Sequence, residues 1–181
     1  MTTRILILPG WQNSGPEHWQ TRWEQQDGNC QRVLQKDWAK PKRQDWIESI
    51  DHAISQATGP VVLVAHSLGC VSVAHWQHVY AHNAAKVKGA LLVAPADVDR
   101  DDAPRPIKDF APVPKMALPF PSVVVASRND PYLAMERAHE FAGAWASRLV
   151  DIGFAGHINS ESNLGDWPEG KRLLAELIAG E

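Results

Sequence analysis

The sequence predicts an α/β architecture, a trimmed parallel sheet of about six strands with helices on both faces. Three observations lead there. Short runs of branched apolar residues alternate along the chain with stretches of helical periodicity, with no internal repeat. The run Val61-Val62-Leu63-Val64-Ala65 has no polar alternation, as a strand buried on both faces requires. Connections between strands are long enough for right-handed helical crossovers.

Taken in order, Arg4 to Leu8 reads as a short buried strand, and Pro16 to about Gln26 as a helix with Trp19 and Trp23 at helical spacing. Cys30 to Gln35 is a second, more alternating strand. Gln44 to Ala57 is an amphipathic helix with Trp46, Ile47, Ile50 and Ile54 on its apolar side. The Val61–Ala65 strand follows, then a helix to roughly His82. Val87 to Ala94, Ser122 to Ala126 and Arg148 to Ile152 read as strands, with helices near Pro131 to Ala146 and Pro168 to Ala179.

One stretch breaks the rhythm. Asp97 to Pro121 carries six prolines among charged residues and cannot form a long regular helix. It is either a solvated connection or a rim that partly lids a site.

The 181 residues suit one domain, 1–181, with no separate cap domain. A formal net charge of −3, without any basic stripe, offers no footprint for nucleic acid and no polybasic handle for a membrane. Small neutral or weakly charged partners are expected. Two cysteines, Cys30 and Cys70, support no disulfide framework. The chain enters Ile5-Leu6-Ile7-Leu8 too soon for a signal sequence or a span, so a cytoplasmic location is expected.

The Val61–Ala65 strand ends in Ala65-His66-Ser67-Leu68-Gly69, a small-x-Ser-x-Gly turn leading into a helix. Such an elbow lifts a serine hydroxyl above the sheet edge, and small residues two before and two after it let strand and helix approach. Leu68 opens the helix with its N–H unpaired and free to face an oxyanion. The bland alternative is a tight turn with a capping serine.

Activating a serine needs a base within reach and a group that orients the base. His157, in Gly153-Phe154-Ala155-Gly156-His157-Ile158 after the last strand, is the candidate base, its bland alternative being a surface loop histidine. Asp130, at the mouth of the preceding strand, is the candidate acid. Followed by Pro131, it also suits a helix N-cap. Asp97, on the neighbouring loop, is the reserve acid.

The order Ser67, Asp130, His157, each after a separate strand, is that of the α/β-hydrolases. Together with Pro9-Gly10-Trp11, His66-Ser67-Leu68-Gly69, Ser127-Arg128-Asn129-Asp130-Pro131-Tyr132 and Gly156-His157-Ile158-Asn159, the chain resembles, over nearly its whole length, the small single-domain serine hydrolases of the retinoblastoma-binding protein 9 and YdeN type. The resemblance implies that Ser67 is the nucleophile, His157 the general base and acid, and Asp130 the orienting carboxylate. It implies cleavage of small acyl esters or related derivatives through an acyl-enzyme, without cofactor or metal. Two departures stand out. Ala65 replaces the usual first glycine of the elbow, and Pro9-Gly10 stands where many relatives carry His-Gly. The N–H of Trp11 is therefore expected to join that of Leu68 as the oxyanion hole.

Other residues have weaker roles. His18 is expected to line the pocket, Trp19 to line it or fill core, and Trp38 to wall the acyl site or merely cover the sheet edge. His66 is expected to pack or hydrogen-bond behind the site. His75, His78 and His82 share a helical spacing but lack a completing ligand, so a solvated helix face is expected rather than a metal site. Two other functions remain open: a protein-interaction module on a hydrolase scaffold, and an amidase or peptidase with the same triad.

Overall fold

The computed structural model describes residues 2–180. Six strands, β1 (Arg4–Leu8), β2 (Cys30–Arg32), β3 (Val61–His66), β4 (Val87–Val93), β5 (Ser122–Ala126) and β6 (Arg148–Asp151), form one sheet in the order β2-β1-β3-β4-β5-β6. Every pairing is parallel. The order reverses direction after β2, which places the C-terminal ends of β1 and β3 at a switch point, where ligands of such sheets bind.

Period-two alternation sorts the strand side chains into two cores. Ile5, Ile7, Val62, Val64, Leu91 and Val93 face helices α1 (Trp19–Gln26) and α5 (Pro168–Ala179). Leu6, Leu8, Leu63, Ala65, Leu92 and Val124 face α2 (Arg43–Gln56), α3 (Leu68–Val79) and α4 (Met135–Ala144). No β3 residue is exposed, consistent with an apolar run in the middle of a covered sheet.

Several boundaries differ from the sequence expectation. α1 starts at Trp19 rather than Pro16, because His18 holds extended backbone and its Nδ1 accepts the Gln20 N–H. β2 is three residues long. The chain beyond it leaves the edge of the sheet, after one further bond from Val33 N–H to the Ile7 carbonyl. α3 stops at Val79, where Tyr80 leaves helical backbone, and His82 belongs to a separate 3₁₀ turn, Ala81–Lys86. α4 starts at Met135, so Asp130 is not its cap. The Asp130 carboxylate instead accepts the Tyr132 N–H at 2.8 Å in a local turn.

The Pro-rich stretch is not a solvated connection. Val98, Ile107, Phe110, Val113, Leu118 and Phe120 are buried from it, and a 3₁₀ turn spans Arg105–Phe110. The Trp145 indole donates to the Pro114 carbonyl, and Arg137 of α4 pairs with Asp97 and Asp99. It is a packed wall of the molecule. Among the described residues, no helix is long and apolar enough to cross a membrane.

Candidate active site

The site grows from the elbow between β3 and α3. Ser67 holds φ 55° and ψ −117°, a backbone rarely occupied by a residue with a Cβ. The surroundings impose it: Ser67 N–H donates to the Val93 carbonyl and its own carbonyl accepts from Cys70 and Ala96. Only glycine fits at position 69, where a methyl would lie 2.9 Å from the Pro9 oxygen and closer still to that of Leu8. Gly10 passes as tightly from the other side. A Cβ there would meet the Ser67 Cβ at 2.9 Å and the Leu68 nitrogen at 3.3 Å.

Across the strand ends, the structure brings together the three residues singled out by the sequence. His157 Nε2 lies 2.9 Å from Ser67 Oγ, and His157 Nδ1 lies 2.9 and 3.0 Å from the two Asp130 oxygens. The Asp130 side chain is wholly buried and the His157 side chain nearly so. A carboxylate only accepts, so Nδ1 carries the proton and Nε2 offers its lone pair to the serine hydroxyl.

The Ser127–Asp130 segment explains how the acid meets the histidine. Arg128 N–H donates to the Gly153 carbonyl, Ala155 N–H to Ser127 Oγ and Gly156 N–H to Asn129 Oδ1. Gly153 and Gly156 supply positive φ where this loop doubles back. The β5 loop and the β6 loop are thus stitched together before either side chain reaches inward.

Above Ser67 lies a cleft of about 480 Å³. Leu68, Ala96, Ala103, Ile107 and Trp11 give it apolar surface, while Gln12, Asp97, Arg100, Asp102 and Asn159 give it polar surface. Tyr132, half exposed, stands at the rim with its ring edge-on to the His157 ring at 4.7 Å. A larger cleft of about 570 Å³ lies along the β2 edge. It holds no comparable chemistry, since its Ser49 hydroxyl donates to the Asp45 carbonyl within α2.

Other sequence expectations separate here. Trp11 lines the cleft, and its indole donates to the Ala39 carbonyl. Trp38 does not line it, but packs edge-on against Trp46 of α2, partly buried against the core on that face of the sheet. His18 does not line it either, and is buried against His66 with ring centroids 4.7 Å apart. Burial, with Arg32 and His157 adding smaller like-charge effects, lowers its pKa to about 3. His66 is buried behind the elbow and its pKa too is pushed well down by burial. Asp97 lines the cleft mouth, but its partner is Arg137, not His157. His75, expected on a solvated face, is buried and its Nε2 donates to the Phe110 carbonyl at 2.7 Å. His78 and His82 are exposed on different elements. Among the described residues, no group of three His, Cys, Asp or Glu is placed to hold a metal ion.

Sequence reading missed Gln20, fully buried in α1. Its amide donates to the Leu8 and Val64 carbonyls near the ends of β1 and β3, and its oxygen accepts from Ser14. An uncharged polar residue between Trp19 and Trp23 on a short helix is the signal that could have found it.

A family model described as serine hydrolase matches residues 5–176. Among solved structures, a YdeN-like hydrolase from Pectobacterium atrosepticum is 34% identical, with a TM-score of 0.85 over 97% of this chain and 90% of that one. The ydeN gene product of B. subtilis is 16% identical, with a TM-score of 0.74 over 98% of this chain and all of that one. Est1E from Butyrivibrio proteoclasticus, with bound ferulic acid, is 15% identical, with a TM-score of 0.72 over 98% and 90%. The last two likenesses are of fold alone. No curated protein sequence matches the chain. With a family model spanning nearly all of β1 to α5, the chain belongs to the serine hydrolase family, and its fold is that of the α/β-hydrolases.

Proposed function

We propose that this protein is a carboxylesterase acting on small acyl esters through a covalent acyl-serine on Ser67. The observation that carries the reading is the continuous hydrogen-bonded line from Asp130 through His157 to Ser67 Oγ. His157 Nε2 takes the hydroxyl proton as Oγ attacks the ester carbonyl, forming the Oγ–C bond and a tetrahedral oxyanion. Asp130 holds the imidazolium through Nδ1–H. The C–O bond to the alcohol then breaks, and the alcohol leaves with the proton returned by His157. Water repeats the sequence on the acyl-enzyme, releasing the acid and restoring Ser67.

The oxyanion is assigned to the N–H groups of Leu68 and Trp11. In support, both residues line the cleft, and among the described residues neither N–H has an acceptor within the protein. Donors already fixed in place stabilise the developing charge without reorganisation.

Substrate size follows from the cleft. A volume of about 480 Å³ shared between apolar and polar walls suits a short acyl chain. Each further methylene left in water forgoes about 0.8 kcal/mol of burial. The Asp97–Pro121 wall, anchored through Arg137 and Trp145, is a poor candidate for a lid that swings at a lipid surface.

The test has two parts. A fluorophosphonate should label Ser67 alone, by intact mass and peptide mapping, and kcat/KM on p-nitrophenyl esters from acetyl to palmitoyl should peak at short chains without a jump at the micellar threshold. Labelling elsewhere, or none, overturns the esterase reading in favour of a binding module. A long-chain optimum with interfacial activation overturns the small-cleft reading.

A further inference from the structure

Two successive carbonyls behind the histidine loop each accept from a buried side-chain N–H. His66 Nε2 donates to the His157 carbonyl at 2.8 Å, and Trp19 Nε1 donates to the Ile158 carbonyl at 2.8 Å. A carbonyl cannot donate, so His66 must carry its proton on Nε2. The donors come from different elements, His66 from the end of β3 beside the nucleophile and Trp19 from the first position of α1.

The backbone they hold is strained. Ile158 has φ 50°, left-handed backbone that a β-branched residue rarely occupies. It is fully buried, so neither its carbonyl nor its side chain relaxes into solvent. The donors are fixed in turn. His66 is ringed by His18 and His157 at 4.7 and 4.9 Å, while Trp19 packs edge-on against Trp23 and Trp167 at 4.8 and 4.9 Å. A buried N–H deprived of its acceptor has no water to turn to, which makes each bond a positional constraint as well as a packing contact.

From this geometry we infer that Trp19 and His66 are positioning residues. They clamp the strained 157–158 backbone so that the His157 ring stands in line between Asp130 and Ser67. Without the clamp, Ile158 relaxes toward ordinary backbone, and the imidazole, one residue away, turns off the serine. The kinetic consequence rests on the esterase reading above. The positional one does not.

The test deletes the N–H groups, at nearly constant volume for His66→Leu and with the loss of part of a buried ring for Trp19→Phe. Trp19→Phe and His66→Leu remove a donor, whereas His66→Gln keeps one. The first two should slow fluorophosphonate labelling of Ser67 and lower kcat by about tenfold or more, with KM within about twofold of wild type. His66→Gln should recover most of the loss. In proton NMR of the unreacted protein, the far-downfield resonance of the His157 Nδ1 proton should broaden or vanish in the first two and persist in His66→Gln. Wild-type labelling rates and an unchanged resonance in both deletion variants overturn the clamp, as does a loss no larger than the fall in folded fraction measured by circular dichroism. Should Trp19→Phe fail to fold, the His66→Leu and His66→Gln pair decides alone. A wild-type protein that shows the resonance yet never labels overturns the esterase reading and leaves the clamp standing.

Discussion

Replacing Gly69 by alanine sets two effects against each other, and the structure says which wins. Gly69 is the second residue of α3, so an alanine gains at most about 1 kcal/mol of helix propensity. The added methyl, however, would sit 2.9 Å from the Pro9 oxygen, 3.1 Å from the Leu8 carbonyl carbon and nearer still to the Leu8 oxygen. These are backbone atoms at the end of β1, which is paired with β2 on one side and β3 on the other, so no flexible side chain can give way. Overpacking a rigid site costs about 1–3 kcal/mol, and more where backbone must move. The net should be a loss of about 2 kcal/mol, or about 4–8 °C in Tm for a chain of this size. Gly143→Ala is the matched control. It too is helical, but a methyl there meets nothing within 4 Å, so its Tm should hold or rise. Calorimetry of both variants, with ester turnover alongside, measures the difference. Because Ser67 and Leu68 adjoin the displaced residue, kcat of Gly69→Ala should fall about tenfold or more at temperatures where the protein is still folded. A Gly69→Ala protein as stable and active as Gly143→Ala would refute the argument that steric contact with β1 shapes the elbow.

Asp130→Asn keeps an acceptor for the Tyr132 N–H but no longer holds the His157 Nδ1–H tautomer, so kcat should fall by about 10²–10⁴-fold with little change in Tm. Asp97→Asn, which touches Arg137 rather than His157, should leave kcat within about twofold, and the reverse ranking would move the acid role to Asp97. Acid stability gives a further check. His18 is held near pKa 3 against 6.5 unfolded, so the unfolded chain binds the extra proton between those values. Its contribution to stability is thus complete above pH 6.5 and is lost as pH falls toward 3, with buried His66 adding in the same direction. In urea titrations at pH 7.5 and 4.5, His18→Asn, which keeps a capping side chain, should lose less stability on acidification than wild type. An equal loss would place the acid sensitivity elsewhere.

The strand and helix alternation, the two-faced burial of β3 and the elbow were legible in the sequence because each is set by neighbours a few residues apart: apolar period, small residues around Ser67, glycine where backbone must pass. The chain order Ser67, Asp130, His157 was legible for a related reason, since each follows its own strand and all strands of a parallel sheet end on one side. Local reading failed where distant parts compete. Asp130 followed by Pro131 is chemically a good cap, yet the helix begins at Met135 and the carboxylate turns to Tyr132 and His157. His75 sits on a helix whose sequence does not announce that Phe110, 35 residues on, will cover it. Trp38 and His18 are drawn to Trp46 and His66 instead of the cleft. The Pro-rich stretch carries its buried residues without a period, so only the finished packing shows it as a wall. Most of all, the bonds from His66 and Trp19 to two consecutive carbonyls span 91 and 139 residues of chain. Local propensity has no term for such a bond, and it exists only once β3, α1 and the loop after β6 are folded against one another.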